Sequence, residues 1–296
     1  MTAASPVTPA ALRPSLAAAQ LFRLPFGRQA WRGGQGNWLG VGLGSSIDFQ
    51  DHRAYAPGDD PRYIHWAAYA RTGQLTMKLF RAEVAPHVDL MVDVSASMSF
   101  APAKAARTDE LLAFCLHSAD QAGAPLRVHA ADGSHVREVP LEWVRAGRWR
   151  ERLPARADAG PASAGAAPDR LPWRPGAMKI LLSDLLFPGE PAAVLGPLAA
   201  GSGLALVLAP ALADERELAP RGNLELVDCE GGARRRQLID EGLAVRYRAA
   251  YQRHFSLWDE GARQRGVLLA PVACEGPLPA ALAGEPLRRG VVEHQR

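Results

Sequence analysis

Apolar residues in this chain fall into two rhythms. Short, nearly unbroken runs recur as VDLMVDV (88–94), AMKILLSDLL (177–186), GLALVLAP (203–210) and VLLAPVA (267–273). Runs of this length predict strands buried on both faces. Between them apolar residues return every third or fourth position. Thr108–Ala122 carries Leu111, Leu112, Cys115, Leu116 and Ala119 in this spacing. The stretch LAVRYRAAYQRHFSLWDEGARQRG carries Tyr247, Tyr251, Phe255, Trp258 and Ala262. Both predict amphipathic helices. Two hairpins are also indicated, PLRVHAAD with SHVREVP around Asp132-Gly133, and LELVDCEGGARRRQLID around Gly231-Gly232. Buried strands separated by helices predict an α/β fold with a mostly parallel sheet covered on both faces.

The flanks have a different texture. Residues 1–44 are rich in Ala, Pro and Gly with little periodicity, and read as a flexible or irregular segment. GGQGNWLGVGLGSS within it lacks the preceding strand and following helix that a phosphate loop needs, so it reads as loop. From Ile47 to Glu83 aromatics, arginines and turn residues crowd together. APGDDPR is a turn signal, YIHWAAYARTG reads as a short helix ended by Gly73, and LTMKLF alternates like a strand. Arg53, Arg62 and Arg71 interleave with Tyr55, Tyr63, Trp66 and Tyr69, and Asp59 and Asp60 are nearby acceptors. Such a mixture packs an extension onto a neighbouring domain; a binding surface is the sharper alternative. Ala155–Gly176 reads as a long surface loop. The expected organisation is 1–44 irregular, 45–86 the aromatic-arginine segment, 87–275 the α/β domain and 276–296 a tail.

Composition narrows the function. Of 296 residues, 48% are hydrophobic and 22% charged, enough for a sizeable core, and the net charge is only +3. No concentrated basic face predicts a nucleic-acid partner; Arg234–Arg236 reads as a solvated hairpin turn. Cys115, Cys229 and Cys274 are too few and too scattered for a disulfide framework or a zinc site, and Cys115 reads as a core residue. No stretch approaches the roughly 20 apolar residues of a membrane span, and the N-terminus has no sustained apolar signal core. A cytoplasmic protein is expected.

The candidate chemistry lies where two buried strands stop. MVDVSASMSF places Asp93, Ser95, Ser97 and Ser99 at alternating positions after an apolar run, and Asp184 follows a second run. Ligands in parallel α/β sheets gather at the carboxyl ends of strands. A carboxylate and hydroxyls set towards one side of a loop are hard oxygen ligands, suited to Mg²⁺ or Mn²⁺. The same residues also fit ordinary loop chemistry, with Ser97 or Ser99 capping a following helix and Asp93 bonding backbone amides.

DVSASMS followed by a helix, with LLSDLL ending a later strand, resembles the von Willebrand factor A (VWA) fold and its metal-ion-dependent adhesion site. RAYAPGDDPRYIHWAAYARTGQLTMKLFRAE, just upstream, resembles the signature of the DUF58 family. The resemblance spans roughly Gly36–Val272. It implies a VWA-like (Rossmann-like) α/β fold with an N-terminal extension packing on it, and a metal site of Asp93, Ser95, Ser97 and Asp184 holding Mg²⁺ or Mn²⁺. Two departures stand out. His65 replaces an aspartate of the family pattern, and the threonine that completes such a site has no counterpart in Ala155–Gly176. Thr108 reads as a helix N-cap, and Ser163 is a weak substitute. The implied role is a non-catalytic interaction module, an adaptor or co-chaperone of a MoxR-type AAA+ ATPase. The alternatives are a metal-dependent phosphohydrolase with Asp93 as nucleophile, and a scaffold whose metal site has decayed.

Overall fold

In the computed structural model, which describes residues 13–28, 34–43, 49–57, 59–132, 135–153, 173–218 and 221–295, the four apolar runs become adjacent strands of one sheet. The chain first passes through helix α1 (Arg13–Leu21), strands β1 (Phe22–Arg23), β2 (Gly34–Leu43) and β3 (Phe49–Ala54), helix α2 (Trp66–Thr72) and strand β4 (Thr76–Ala85). Strands β5 (Val88–Asp93), β6 (Leu126–Ala131) and β7 (Val136–Glu138) follow, with helix α3 (Pro102–Gln121) between the first two. Short helices α4 (Leu141–Arg145) and α5 (Trp149–Arg152) precede β8 (Met178–Leu182), α6 (Pro191–Ala199) and β9 (Ala205–Ala211). The hairpin β10 (Gly222–Val227) and β11 (Arg234–Ile239) then leads to α7 (Glu241–Gln264), β12 (Leu268–Ala273), α8 (Leu278–Ala283), α9 (Glu285–Arg288) and β13 (Glu293–His294).

The six-stranded sheet runs β12-β9-β8-β5-β6-β7 and is parallel throughout except for β7, which pairs antiparallel with β6. Alternate strand residues feed two separate cores. Val88, Leu90, Val92, Ile180 and Leu208 pack with α1, α3 and α8 on one face. Met91, Leu181, Val207 and Leu269 pack with α6 and α7 on the other, around the fully buried Trp258. The predicted α/β fold, with a mostly parallel sheet flanked by helices, is therefore present. Strand β5 leads outward through β6 to one side, and β8 leads through β9 and β12 to the other. Their shared carboxyl edge is thus the topological switch point, where a crevice opens in sheets of this kind.

One charge enters the apolar β5 run. Asp89 is buried, and its carboxylate accepts from the Arg174 backbone N–H (2.7 Å) and Nε (2.7 Å). Arg174 also donates to Val88 O and Pro125 O, so this pair closes the amino end of the sheet. Gly203 adopts φ +121°, and a Cβ there would lie 2.1 Å from Ala177 O. Only glycine fits this approach of the loop to the start of β8.

Several expectations require correction. GGQGNWLGVGLGSS, read as loop, contains β2, whose backbone pairs with β4 through two register shifts. Pairing along an existing strand supplies what the glycine-rich sequence does not signal. Within 1–44, α1 and β1 are regular, and Ala18, Ala19, Phe22 and Leu24 belong to the α3-side core. Residues 276–295 are likewise no tail, because Leu278, Leu282, Val291 and Val292 are buried there and β13 pairs with β1. Small residues let these segments pack closely without a strong apolar period. In the aromatic-arginine segment, Arg53 bonds Asp59, Arg62 bonds Asp60, and Gly73 ends α2 at φ +69°. Three of its aromatics, Tyr63, Trp66 and Tyr69, are exposed, with Trp66 and Tyr69 in edge contact. Arg234–Arg236 lies in β11 rather than in the turn, exposed as expected. The three cysteines are free, and Cys115 is buried.

Candidate functional site at the strand-end loop

Parallel register sets the site. Val92 of β5 faces Leu182 of β8, so Asp93 and the Ser183-Asp184 pair leave the sheet side by side. Asp93 is fully buried. Its Oδ1 accepts from the Ser95 backbone N–H at 2.9 Å, and its Oδ2 accepts from the Ser183 hydroxyl at 2.7 Å. Ser95 and Ser97 hydroxyls bond each other at 3.1 Å, and Ala96–Met98 forms a single 3-10 turn. Met98 Sδ accepts from the Asp184 N–H, tying the two strand-end loops together. Leu185 then takes a left-handed φ of +60°, a conformation that side-chain-bearing residues rarely adopt. It turns the chain sharply away from β8.

The four predicted site residues, Asp93, Ser95, Ser97 and Asp184, therefore stand on neighbouring loops at the predicted edge. The helix-cap reading of Ser97 and Ser99 does not hold, since α3 begins after Ala101 with no side-chain cap bond. Thr108 is no N-cap either. It lies inside α3 and its hydroxyl donates to Lys104 O, because the helix starts six residues earlier than its apolar period suggested. Residues 154–172, which hold Ser163 and most of the loop read at Ala155–Gly176, lie outside the described residues.

Three groups that the sequence reading missed, Lys104, Glu215 and Glu230, complete the site. Lys104 of α3 is fully buried, and its ammonium donates to Asp184 Oδ2 at 2.6 Å and to Glu215. Glu230, in the turn of the β10–β11 hairpin, accepts from the backbone N–H groups of Ala96 (3.1 Å) and Ser97 (2.7 Å). Asp228 shapes that turn, taking the Glu230 and Gly231 amides on its two oxygens, while Gly232 turns at φ +70°. Only the DVSAS pattern was visible locally. A lysine at helical spacing and an acid in a hairpin turn carry no sequence signal for a contact across the fold.

Electrostatics at this edge are uneven. Burial pushes Asp93 up to about 6, the neighbouring Asp184 charge adds to it, and the Ser95 and Ser183 hydrogen bonds pull it part of the way back. Burial works against the Lys104 charge, but Asp184 and Glu215 outweigh it and hold the ammonium above the ordinary lysine range.

A divalent cation is what the resemblance implies, and what counts against one here is the Lys104 ammonium already seated on Asp184. Each Asp93 oxygen accepts one hydrogen bond, from Ser95 or Ser183, and the Asp184 oxygens accept from Lys104 and the Leu186 N–H. The serine hydroxyls share one hydrogen bond and keep lone pairs free. A buried ammonium beside Asp184 already supplies positive charge.

An open, mostly parallel sheet with a serine loop at its switch point defines the class, an α/β protein of Rossmann-like architecture. The chain belongs to the DUF58 family: residues 51–256 match the model described as "Protein of unknown function DUF58". "Uncharacterized protein Rv1480" of Mycobacterium tuberculosis (strain H37Rv) and "Uncharacterized protein Mb1516" of Mycobacterium bovis are each 31% identical over 236 residues. The match covers 74% of this chain and 72% of theirs. Among solved structures, the crystal structure of the conserved hypothetical protein BatB from Bacteroides thetaiotaomicron aligns with 69% of this chain and 98% of its own. Its TM-score is 0.39 at 13% identity. No helix among the described residues is long and apolar enough to cross a membrane.

Proposed function

We propose that this protein is a non-catalytic interaction module whose strand-end loop receives an acidic side chain from a protein partner. One observation carries the reading. The Ala96 and Ser97 amides already grip a carboxylate, that of Glu230, in the geometry a partner's aspartate or glutamate would adopt. The hairpin bearing Glu230 is mostly exposed, including Leu226, Val227 and Leu238, so its tip has room to withdraw. The partner we assign is a MoxR-type AAA+ ATPase, with this chain acting in the cytoplasm as adaptor or co-chaperone and the partner hydrolysing ATP. That assignment rests on the DUF58 resemblance. No catalytic role is assigned to Asp93. It is closed to solvent with both oxygens bonded, whereas a phosphohydrolase nucleophile must reach its substrate.

Pull-down of the MoxR-type ATPase of the same organism, with ATP and Mg²⁺ present, tests the reading. Wild type is expected to recover the ATPase, and Glu230→Ala to recover several-fold more. The exposed hairpin control Glu225→Ala is expected to behave as wild type. Recovery by neither wild type nor Glu230→Ala sinks the ATPase assignment. Recovery that ignores Glu230→Ala sinks the role of the loop.

A further inference from the structure

The acidic edge carries its own cation. Lys104 is one of the largest fully buried side chains of the described residues, and its ammonium binds Asp184 and Glu215. Glu215 is fixed in turn by the Leu212 N–H at 3.0 Å, so the lysine is gripped from two elements, the end of β8 and the turn after β9. None of the polar atoms of Asp93, Ser95, Lys104 or Asp184 is left buried without a partner. A divalent ion entering this set would have to share Asp184 with the Lys104 ammonium. It would also sit in a low-dielectric interior close to an existing positive charge, a costly like-charge placement.

We propose that Lys104 supplies from within the chain the positive charge that adhesion-type serine loops draw from a divalent cation. The Asp93–Ser97 loop then keeps its shape, and accepts a carboxylate, with no metal. Lysine suits this role as a compact point charge with three donor hydrogens, two of which the carboxylates use here. The inference concerns the isolated chain and stands whether or not the partner assigned above is the right one.

The test is thermal unfolding of the full chain in EDTA and in millimolar Mg²⁺ or Mn²⁺, alongside Mn²⁺ binding read by electron paramagnetic resonance. Wild type is expected to unfold at the same temperature in all three and to take up no Mn²⁺ that Asp93→Ala loses. Lys104→Met is expected to unfold several degrees lower in EDTA and to recover most of that loss in Mn²⁺ or Mg²⁺. Lys104→Arg, which keeps the charge, is expected to stay indifferent to metal. Wild-type Mn²⁺ uptake abolished by Asp93→Ala overturns the proposal, as does a folded Lys104→Met that no metal restores. Where Lys104→Met does not fold, wild type and Lys104→Arg decide, and a metal-dependent midpoint in either overturns it.

Discussion

Asp93→Asn is the perturbation most tightly determined by this site. In the folded protein burial raises the Asp93 carboxyl from 3.8 to about 6, so the native state holds its proton where the unfolded chain has released it. Stability falls with pH wherever the native state binds more protons than the unfolded one. The stabilising contribution is therefore fully present below about 3.8 and is lost as pH rises through about 6. The gap corresponds to about 3 kcal/mol, of which about 2 kcal/mol is lost between about pH 4.5 and about pH 7.5. Asparagine keeps the geometry without the charge. Its carbonyl accepts from the Ser95 N–H, and its amide donates to the Ser183 hydroxyl, which reverses its role from donor to acceptor. Urea unfolding of both proteins across this range, in EDTA, measures the effect, because the difference between them cancels titrations they share. The variant is expected to gain about 2 kcal/mol on wild type from the acid to the neutral end. A difference flat to within about 0.5 kcal/mol, the scatter of a neutral substitution, refutes a desolvated carboxylate at the head of this loop.

Two further substitutions probe the frame that holds the loop. Arg174→Ala leaves the buried Asp89 carboxylate at the amino end of β5 with the residue-174 backbone N–H but no countercharge, and removes the donors to Val88 O and Pro125 O. A loss of about 3–5 kcal/mol is expected in chemical denaturation, and a loss under about 1 kcal/mol would mean that water replaces the arginine. Gly203→Ala places a methyl 2.1 Å from Ala177 O at a φ of +121°. Circular dichroism melting is expected to show a clear drop in midpoint, and an unchanged midpoint would show that this loop approaches β8 less closely than described.

The sheet was legible because its strands are buried on both faces, and such runs stay apolar whatever their neighbours. The order β12-β9-β8-β5-β6-β7 does not show in the runs themselves, yet Asp93 and Asp184 were marked because each breaks an apolar run at its carboxyl end. Helix α1 and residues 276–295 escaped notice for the opposite reason. Alanine, proline and glycine pack closely but leave little period to read, so Ala18 and Ala19 look like linker and prove to be core. Lys104, Glu215 and Glu230 escaped for a third reason. Each is polar at a position where local pattern predicts a solvated side chain. Only the closing of α3, the β9 turn and the hairpin over one edge makes them partners of Asp184 and Ser97.

These long-range contacts change what recognition at the loop would involve. A bare pair of amides would bind any carboxylate that reached it, including the many on other proteins. With Glu230 held 2.7 Å from the Ser97 nitrogen, an incoming acid must exchange with one already tethered to the same chain. Tethering keeps the internal acid at high effective concentration. A partner's apparent affinity is then scaled down by the fraction of time the hairpin tip is undocked, about tenfold for each 1.4 kcal/mol that docking is worth. A partner bringing one carboxylate and nothing else does not win that exchange. One that also engages the exposed Leu226, Val227 or Leu238 of the hairpin draws the tip away as it binds, and so contributes the free energy of release itself. On the proposed reading, selectivity thus comes from a two-point demand, an acid for the loop and an apolar surface for the hairpin, rather than from the loop alone.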